Sequence, residues 1–330
     1  MKKIILYLFV LISFFLKSDI CFASFQIDEY FIDSSRTEIY TKDGSKRELP
    51  ATFWYPKNYT EDRKCPLVLF SHGGMGVRTS NLTLYRELAS RGYVVCSIDH
   101  PYHCFSTILS NGKKVRVSMK FINETMKDEP SKNPKQSLKH FSSWMNLRTQ
   151  DINYVLDTII QNVQEQISNN DSTKINDIYQ LIDCSKICVM GHSLGGCAAL
   201  GIGRQRNDVR AVIALESAFM CDIKDIDEQN HFVFETSDYP IPVLNIYSDS
   251  SWSHLNEWPQ YEENYRLLQI ESSTVKNVHI SGTGHFGLTD LSMTTPFITA
   301  LMDGGMENKP QDTLKRINEE CMAFLDSVLK

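Results

Sequence analysis

The sequence lacks the features that would mark a fibrous, disordered or nucleic-acid-binding protein. There is no internal repeat and no low-complexity tract, and 34 Lys and Arg are outnumbered by 40 Asp and Glu, giving a net charge of −6. This deficit of positive charge argues against partners with phosphate backbones and against adhesion to anionic membranes by bulk charge. Metal-ligand spacing is also scarce: His100-x-x-His103-Cys104 has no second ligand pair at zinc-site spacing. What remains is an ordinary globular balance, 42% hydrophobic and 22% charged, over 330 residues, enough to bury a sizeable core.

One apolar run stands apart. Ile4 to Leu16 follows Lys2 and Lys3 and precedes the small residue Ala23. At about 13 residues it is short for a hydrocarbon core of roughly 30 Å, and its setting is that of a secretory signal peptide, residues 1–23, cleaved before Ser24. The mature chain is then expected to be secreted or periplasmic. Eight of the nine cysteines would remain, at 65, 96, 104, 184, 188, 197, 221 and 321, in a compartment that permits disulfides. Cys96, Cys188 and Cys197 lie inside apolar stretches and read as buried thiols.

Residues 24–330 read as a single domain. Continuous apolar runs at Leu67 to Phe70, Tyr93 to Ile98, Ile187 to Met190, Ala211 to Leu215, Val243 to Tyr247 and Val275 to Ile280 suit strands covered on both faces. Between them, Leu82 to Arg91, Leu147 to Gln166, Leu194 to Arg206, Tyr261 to Ile270 and Leu314 to Leu329 carry apolar residues at helical spacing. Alternating strands and helices predict a mostly parallel sheet with helices on both faces, and Phe25 to Phe31 and Thr52 to Tyr55 predict antiparallel strands at one edge. Residues 104–143 are polar and contain Pro130 and Pro134, so they read as an excursion before a long helix from about 144, a lid or a surface flap.

Gly191-His192-Ser193-Leu194-Gly195 follows a strand and opens a helix. A Gly-x-Ser-x-Gly motif in that context is the nucleophile elbow of the α/β-hydrolase fold, with Ser193 raised above the sheet edge. Acyl transfer also needs backbone donors for an oxyanion. Leu194, after the nucleophile, supplies one, and His72-Gly73-Gly74, after its own strand, offers the amide of Gly74. The base should come late in the chain. His285, in a loop after Val275 to Ile280, fits, whereas His279 lies within the strand pattern and His192 reads as part of the elbow. Two carboxylates end successive strands, Glu216 and Asp249, and either type can orient a histidine.

Phe53 to Pro56, Pro66 to Arg78, Leu88 to Asp99, Gly191 to Gly196, Ala214 to Phe219 and Gly282 to Asp290 together resemble the platelet-activating-factor acetylhydrolase family of the plasma and intracellular type II kind, across most of residues 50–330. The resemblance places the acid after the strand that follows the nucleophile helix, at Glu216, where the family usually has Asp. It also implies oxyanion amides at Gly74 and Leu194, no metal cofactor, and ester substrates with a short or oxidised acyl group on a phospholipid. A small-molecule or lipid ester is the expected partner, with peripheral contact to a lipid surface. A short-chain carboxylesterase, a cutinase-like polyester hydrolase and a non-catalytic binding protein share the fold. Cys65 and Cys184 each precede a strand, and those strands are neighbours in this fold, so a disulfide joining them is expected.

Overall fold

The apolar runs become the strands of one eight-stranded sheet. They are β1 (Ser24–Thr37), β2 (Lys46–Pro56), β3 (Cys65–Ser71), β4 (Val94–Ile98), β5 (Ile182–His192), β6 (Val209–Leu215), β7 (Val243–Ser248) and β8 (Val275–Ile280). The computed structural model describes residues 24–57, 64–168, 174–270, 272 and 274–329; the signal-peptide expectation for residues 1–23 lies outside them. Strand order is β1-β2-β4-β3-β5-β6-β7-β8. The β1–β2 and β2–β4 pairs are antiparallel and all later pairs are parallel. This is the expected α/β-hydrolase fold.

Both faces of the sheet are covered, which is why its strands read as unbroken apolar runs. Along β3, Leu67 and Leu69 join a cluster with Ile152, Val155 and Ala198, whereas Val68 and Phe70 join one with Leu84, Leu88, Ile317 and Leu325. The helices that supply these residues are α1 (Leu82–Ser90), α3 (Pro134–Ser168), α4 (Leu194–Gln205) and α5 (Pro310–Leu329), with the shorter α2 (Met119–Lys127) before α3. Among the described residues, no helix is long and apolar enough to cross a membrane.

Two expectations need correction, the start of the long helix and the Cys65–Cys184 disulfide. The long helix α3 starts at Pro134, ten residues before 144, because Pro is accepted in the first helical turn and its polar first turns still bury Phe141 and Trp144. The 104–143 excursion is therefore structured: Ser106–Ile108 pairs with Lys114–Arg116, and Phe121 of α2 stacks on His103 at 3.9 Å. The Cys65–Cys184 disulfide is absent. Strands β3 and β5 are indeed neighbours, but Cys65 lies opposite Ile182, and an irregularity between Asp183 and Ile187 takes Cys184 out of register.

Candidate active site

The turn from β5 into α4 holds Ser193 at φ +54° and ψ −126°, a conformation costly for a residue with a side chain. It persists because the neighbours over-determine it. Ser193 N donates to Leu215 O at 2.8 Å, and the Ser217 hydroxyl donates to Ser193 O at 2.9 Å. A methyl group at Gly195 would strike the carbonyl of Ser71, so the first turn of α4 sits directly on the end of β3. Only glycine permits that approach.

The loop after β3 rests on this elbow: a Cβ at Gly73 would lie 3.2 Å from that of Ser193, and one at Gly74 would lie 3.2 Å from Leu194 Cδ1. Within the loop, Met75 N donates to His103 O at 2.8 Å and Gly76 N to Gly73 O at 3.1 Å. Gly74 N has no such partner among the described residues. Leu194 N opens a helix, where amides have no intrahelical acceptor. The amides of Gly74 and Leu194, both chosen from the sequence, thus lie on segments that meet at Ser193.

His285 follows β8 and is half-buried. Its loop is tied at several points. His285 N donates to Ser250 Oγ at 3.0 Å, and the amides of Phe286 and Gly287 donate to Asp303 at 3.0 and 2.9 Å. The His192 Nε2–H donates to the carbonyl of His285 at 3.0 Å, and the two rings lie 4.6 Å apart. His192, which reads as an elbow residue in the sequence, therefore also joins the His285 loop to the turn that holds Ser193. Burial pushes the His285 pKa down to about 4, which keeps the imidazole neutral and able to accept a proton.

Glu216 follows β6 at φ +52°, with its amide donating to Ile246 O at 2.7 Å. The side chain is buried. Ser248 N donates to Oε2, and Oε1 has no partner among the described residues. Burial, partly offset by the Ser248 amide, pushes its pKa up to about 7. Asp249 is half-exposed and committed elsewhere, accepting from His279 Nε2 and from Gly282 N, each at 2.7 Å. Among the described residues no hydrogen bond joins the side chains of Ser193, His285 and Glu216. Such bonds often close only when substrate arrives.

Sequence reasoning missed Ser217, Ser250 and Asp303, the groups that hold the elbow and the His285 loop. Ser217 adjoins Glu216 and was open to discovery; Asp303 carries no local signal, since it reaches the loop from a separate helix, Pro296–Asp303. Nor did it see that His100 is a core group. His100 Nδ1 lies 2.8 Å from Asp151 and its Nε2 2.8 Å from Ser71 Oγ, while Arg47 donates twice to Asp151 and once to Glu38. His103 Nε2 meets Tyr40 OH at 2.7 Å.

The profile of the family described as "Platelet-activating factor acetylhydrolase, isoform II" matches residues 44–330. The platelet-activating factor acetylhydrolase of Gallus gallus is 25% identical over 284 residues, covering 81% of this chain and 62% of that protein. Cutinase est1 of Thermobifida alba is 26% identical over 164 residues, covering 50% of this chain and 38% of the cutinase. This chain spans about three fifths of the length of the Gallus gallus relative. Among solved structures, a ferulic acid esterase from Streptomyces cinnamoneus superposes with a TM-score of 0.64 at 18% identity, over 95% of this chain and 92% of that one, a likeness of fold.

Proposed function

Because the chain belongs to the platelet-activating factor acetylhydrolase isoform II family, we propose that it is a serine esterase acting on lipid esters with short or oxidised acyl groups. Residues 24–330 form its single hydrolase domain. Ser193 attacks the ester carbonyl while His285 takes its proton, and the amides of Gly74 and Leu194 receive the negative charge that develops on the oxygen. His285 then passes the proton to the departing alcohol. Water, activated by the same imidazole, releases the acid from the acyl-enzyme. Glu216 orients the imidazole and balances its transient positive charge. No step needs a metal or cofactor.

The observation that carries this reading is the strained Ser193, held above the sheet edge against two uncommitted amides. A lipid substrate is supported by the helix Pro296–Asp303, which exposes Phe297 (81%) and Leu301 (64%) while its Asp303 caps the His285 loop. The runner-up, a short-chain carboxylesterase or cutinase-like polyester hydrolase, uses the same machinery, and the match to a cutinase over half the chain favours keeping it in the test. Esters and phospholipids of graded acyl length, assayed with wild type and Ser193→Ala, separate the two. A fluorophosphonate probe that labels wild type and Ser193→Ala equally would remove the enzyme reading. Export is proposed separately, from the pattern of residues 1–23, and N-terminal sequencing of the natural protein should then begin at Ser24.

A further inference from the structure

Two buried side chains converge on the peptide that links Gly73 to Gly74. Arg148, on α3 and with 0% exposure, donates from Nη1 to His72 O at 2.5 Å and from Nη2 to Gly73 O at 3.3 Å. His72 is equally buried, and its Nδ1 lies 2.6 Å from Gly73 O. Its Nε2 accepts from His100 N at 3.2 Å, which leaves the ring proton on Nδ1 and makes that atom a donor. With Gly76 N at 3.1 Å, the Gly73 carbonyl is approached by donors from three residues.

This places unusual demands on one peptide. In a planar trans peptide the C=O and the N–H point in opposite directions. Turning the Gly73 oxygen toward Arg148 therefore turns the Gly74 N–H the other way. A cation at the oxygen also draws electron density from the amide nitrogen, making the N–H a stronger donor. Arg148 has no other hydrogen-bond acceptor among the described residues, and its Nε has none at all. The acidic group it feels most is Asp151, which is bound to Arg36, Arg47 and His100. Burying a guanidinium so sparsely satisfied is expensive, and a neutral donor would brace a loop more cheaply.

We propose that Arg148 is a positioning residue of oxyanion stabilisation, presetting and polarising the Gly73–Gly74 peptide so that Gly74 N–H meets the developing charge. It acts through the peptide and touches no substrate. The inference rests on the esterase reading and names a specific part of it.

The test compares wild type with Arg148→Met and Arg148→Lys, using a soluble short-chain aryl ester for kcat and KM and a trifluoromethyl ketone, which forms a tetrahedral adduct with the nucleophile, for Ki. In Arg148→Met, kcat should fall on the order of 10- to 10²-fold, less than for outright loss of an oxyanion donor. KM should stay within about threefold, and Ki should rise in proportion to the loss in kcat/KM. Arg148→Lys should recover part of the loss, since it keeps the charge without the forked geometry. A folded Arg148→Met protein with unchanged kcat and Ki, or with its loss confined to KM, overturns the proposal. If Arg148→Met does not fold, Arg148→Lys decides it by the same split: a kcat loss mirrored in Ki supports it, and wild-type values overturn it. Ser193→Ala, run alongside, keeps the two readings apart. Undiminished activity there removes the esterase reading itself, whereas an inactive Ser193→Ala beside neutral Arg148 variants removes only this inference.

Discussion

Asp249 accepts the Nε2–H of His279 at 2.7 Å, so the competing acid of the sequence is spent on the competing base. Trp252 stacks on that histidine at 4.6 Å, closing off a pair with no tie to Ser193. Glu216, by contrast, is buried, and its Oε1 has no hydrogen-bond partner among the described residues. Glu216→Gln should therefore lower kcat on the order of 10²- to 10⁴-fold, while Asp249→Asn stays within about threefold. Steady-state kinetics of the two purified variants decide between them, and the reverse ranking would transfer the role to Asp249.

The pKa directions at the site give a pH dependence with a definite sign. The proposed mechanism needs His285 neutral and Glu216 ionised, and burial sets their pKa values at about 4 and about 7 respectively. The acidic limb of kcat/KM should accordingly have its midpoint near 7 and move to lower pH, at much reduced activity, in Glu216→Gln.

Stability follows the same shifts with opposite signs. The folded-state pKa of Glu216 is raised from 4.5, so its contribution is present below about 4.5 and lost as pH rises through about 7. That of His285 is lowered from 6.5, so its contribution is present above about 6.5 and lost as pH falls through about 4. Urea midpoints measured from pH 4 to 8 should show Glu216→Gln gaining on wild type toward pH 8. No such gain would mean that the carboxyl is not held protonated by burial.

Arg47 and Asp151 form a buried ion pair at 2.6 Å, with side chains 3% and 0% exposed. Arg47→Ala removes the cation that Asp151 and Glu38 share and leaves Asp151 with Arg36 at 2.9 Å and His100 at 2.8 Å. A loss of about 3 kcal/mol in unfolding free energy is expected, the low end for breaking a buried pair, because Arg36 remains. Chemical denaturation measures it, and a near-neutral result would mean that Arg36 alone compensates the Asp151 charge.

Gly195→Ala should be more damaging than its single methyl suggests. The added carbon meets backbone, the Ser71 and His72 carbonyls, which cannot swing aside as a side chain would. The expected loss exceeds about 4 kcal/mol and should appear as failure to recover soluble, cooperatively melting protein. A variant that melts like wild type would show that α4 does not press on β3 as described.

Phe297→Ser combined with Leu301→Ser should leave hydrolysis of a soluble short-chain ester unchanged while lowering activity on phospholipid vesicles about tenfold or more, since interfacial binding scales with buried apolar area. Equal activities on vesicles would disconnect this helix from substrate access.

Much of this architecture was legible in the sequence because its signals are local. A strand covered on both faces announces itself as an apolar run, and an elbow needs glycines within two residues of its serine. The close approach of the His72-Gly73-Gly74 loop to the elbow was legible for the same reason. The choice between Glu216 and Asp249 was not, since it depends on Ile246, Ser248 and His279 arriving from other strands. The start of α3 was hidden because Lys135, Gln136 and Lys139 dilute the apolar spacing around Leu138 and Phe141. The imagined Cys65–Cys184 bridge followed from strand adjacency, correctly read, but register is set by an irregularity that no residue type advertises.

The elbow of Ser193 owes its shape to partners made after it: Leu215 and Ser217 hold its backbone, and His192 meets a carbonyl 93 residues downstream. A nascent chain that has just passed Ser193 possesses the serine without its posture. On the proposed reading, hydrolytic competence therefore arrives only with these distant contacts, and copies that stop short of His285 should be inert toward the esters around them.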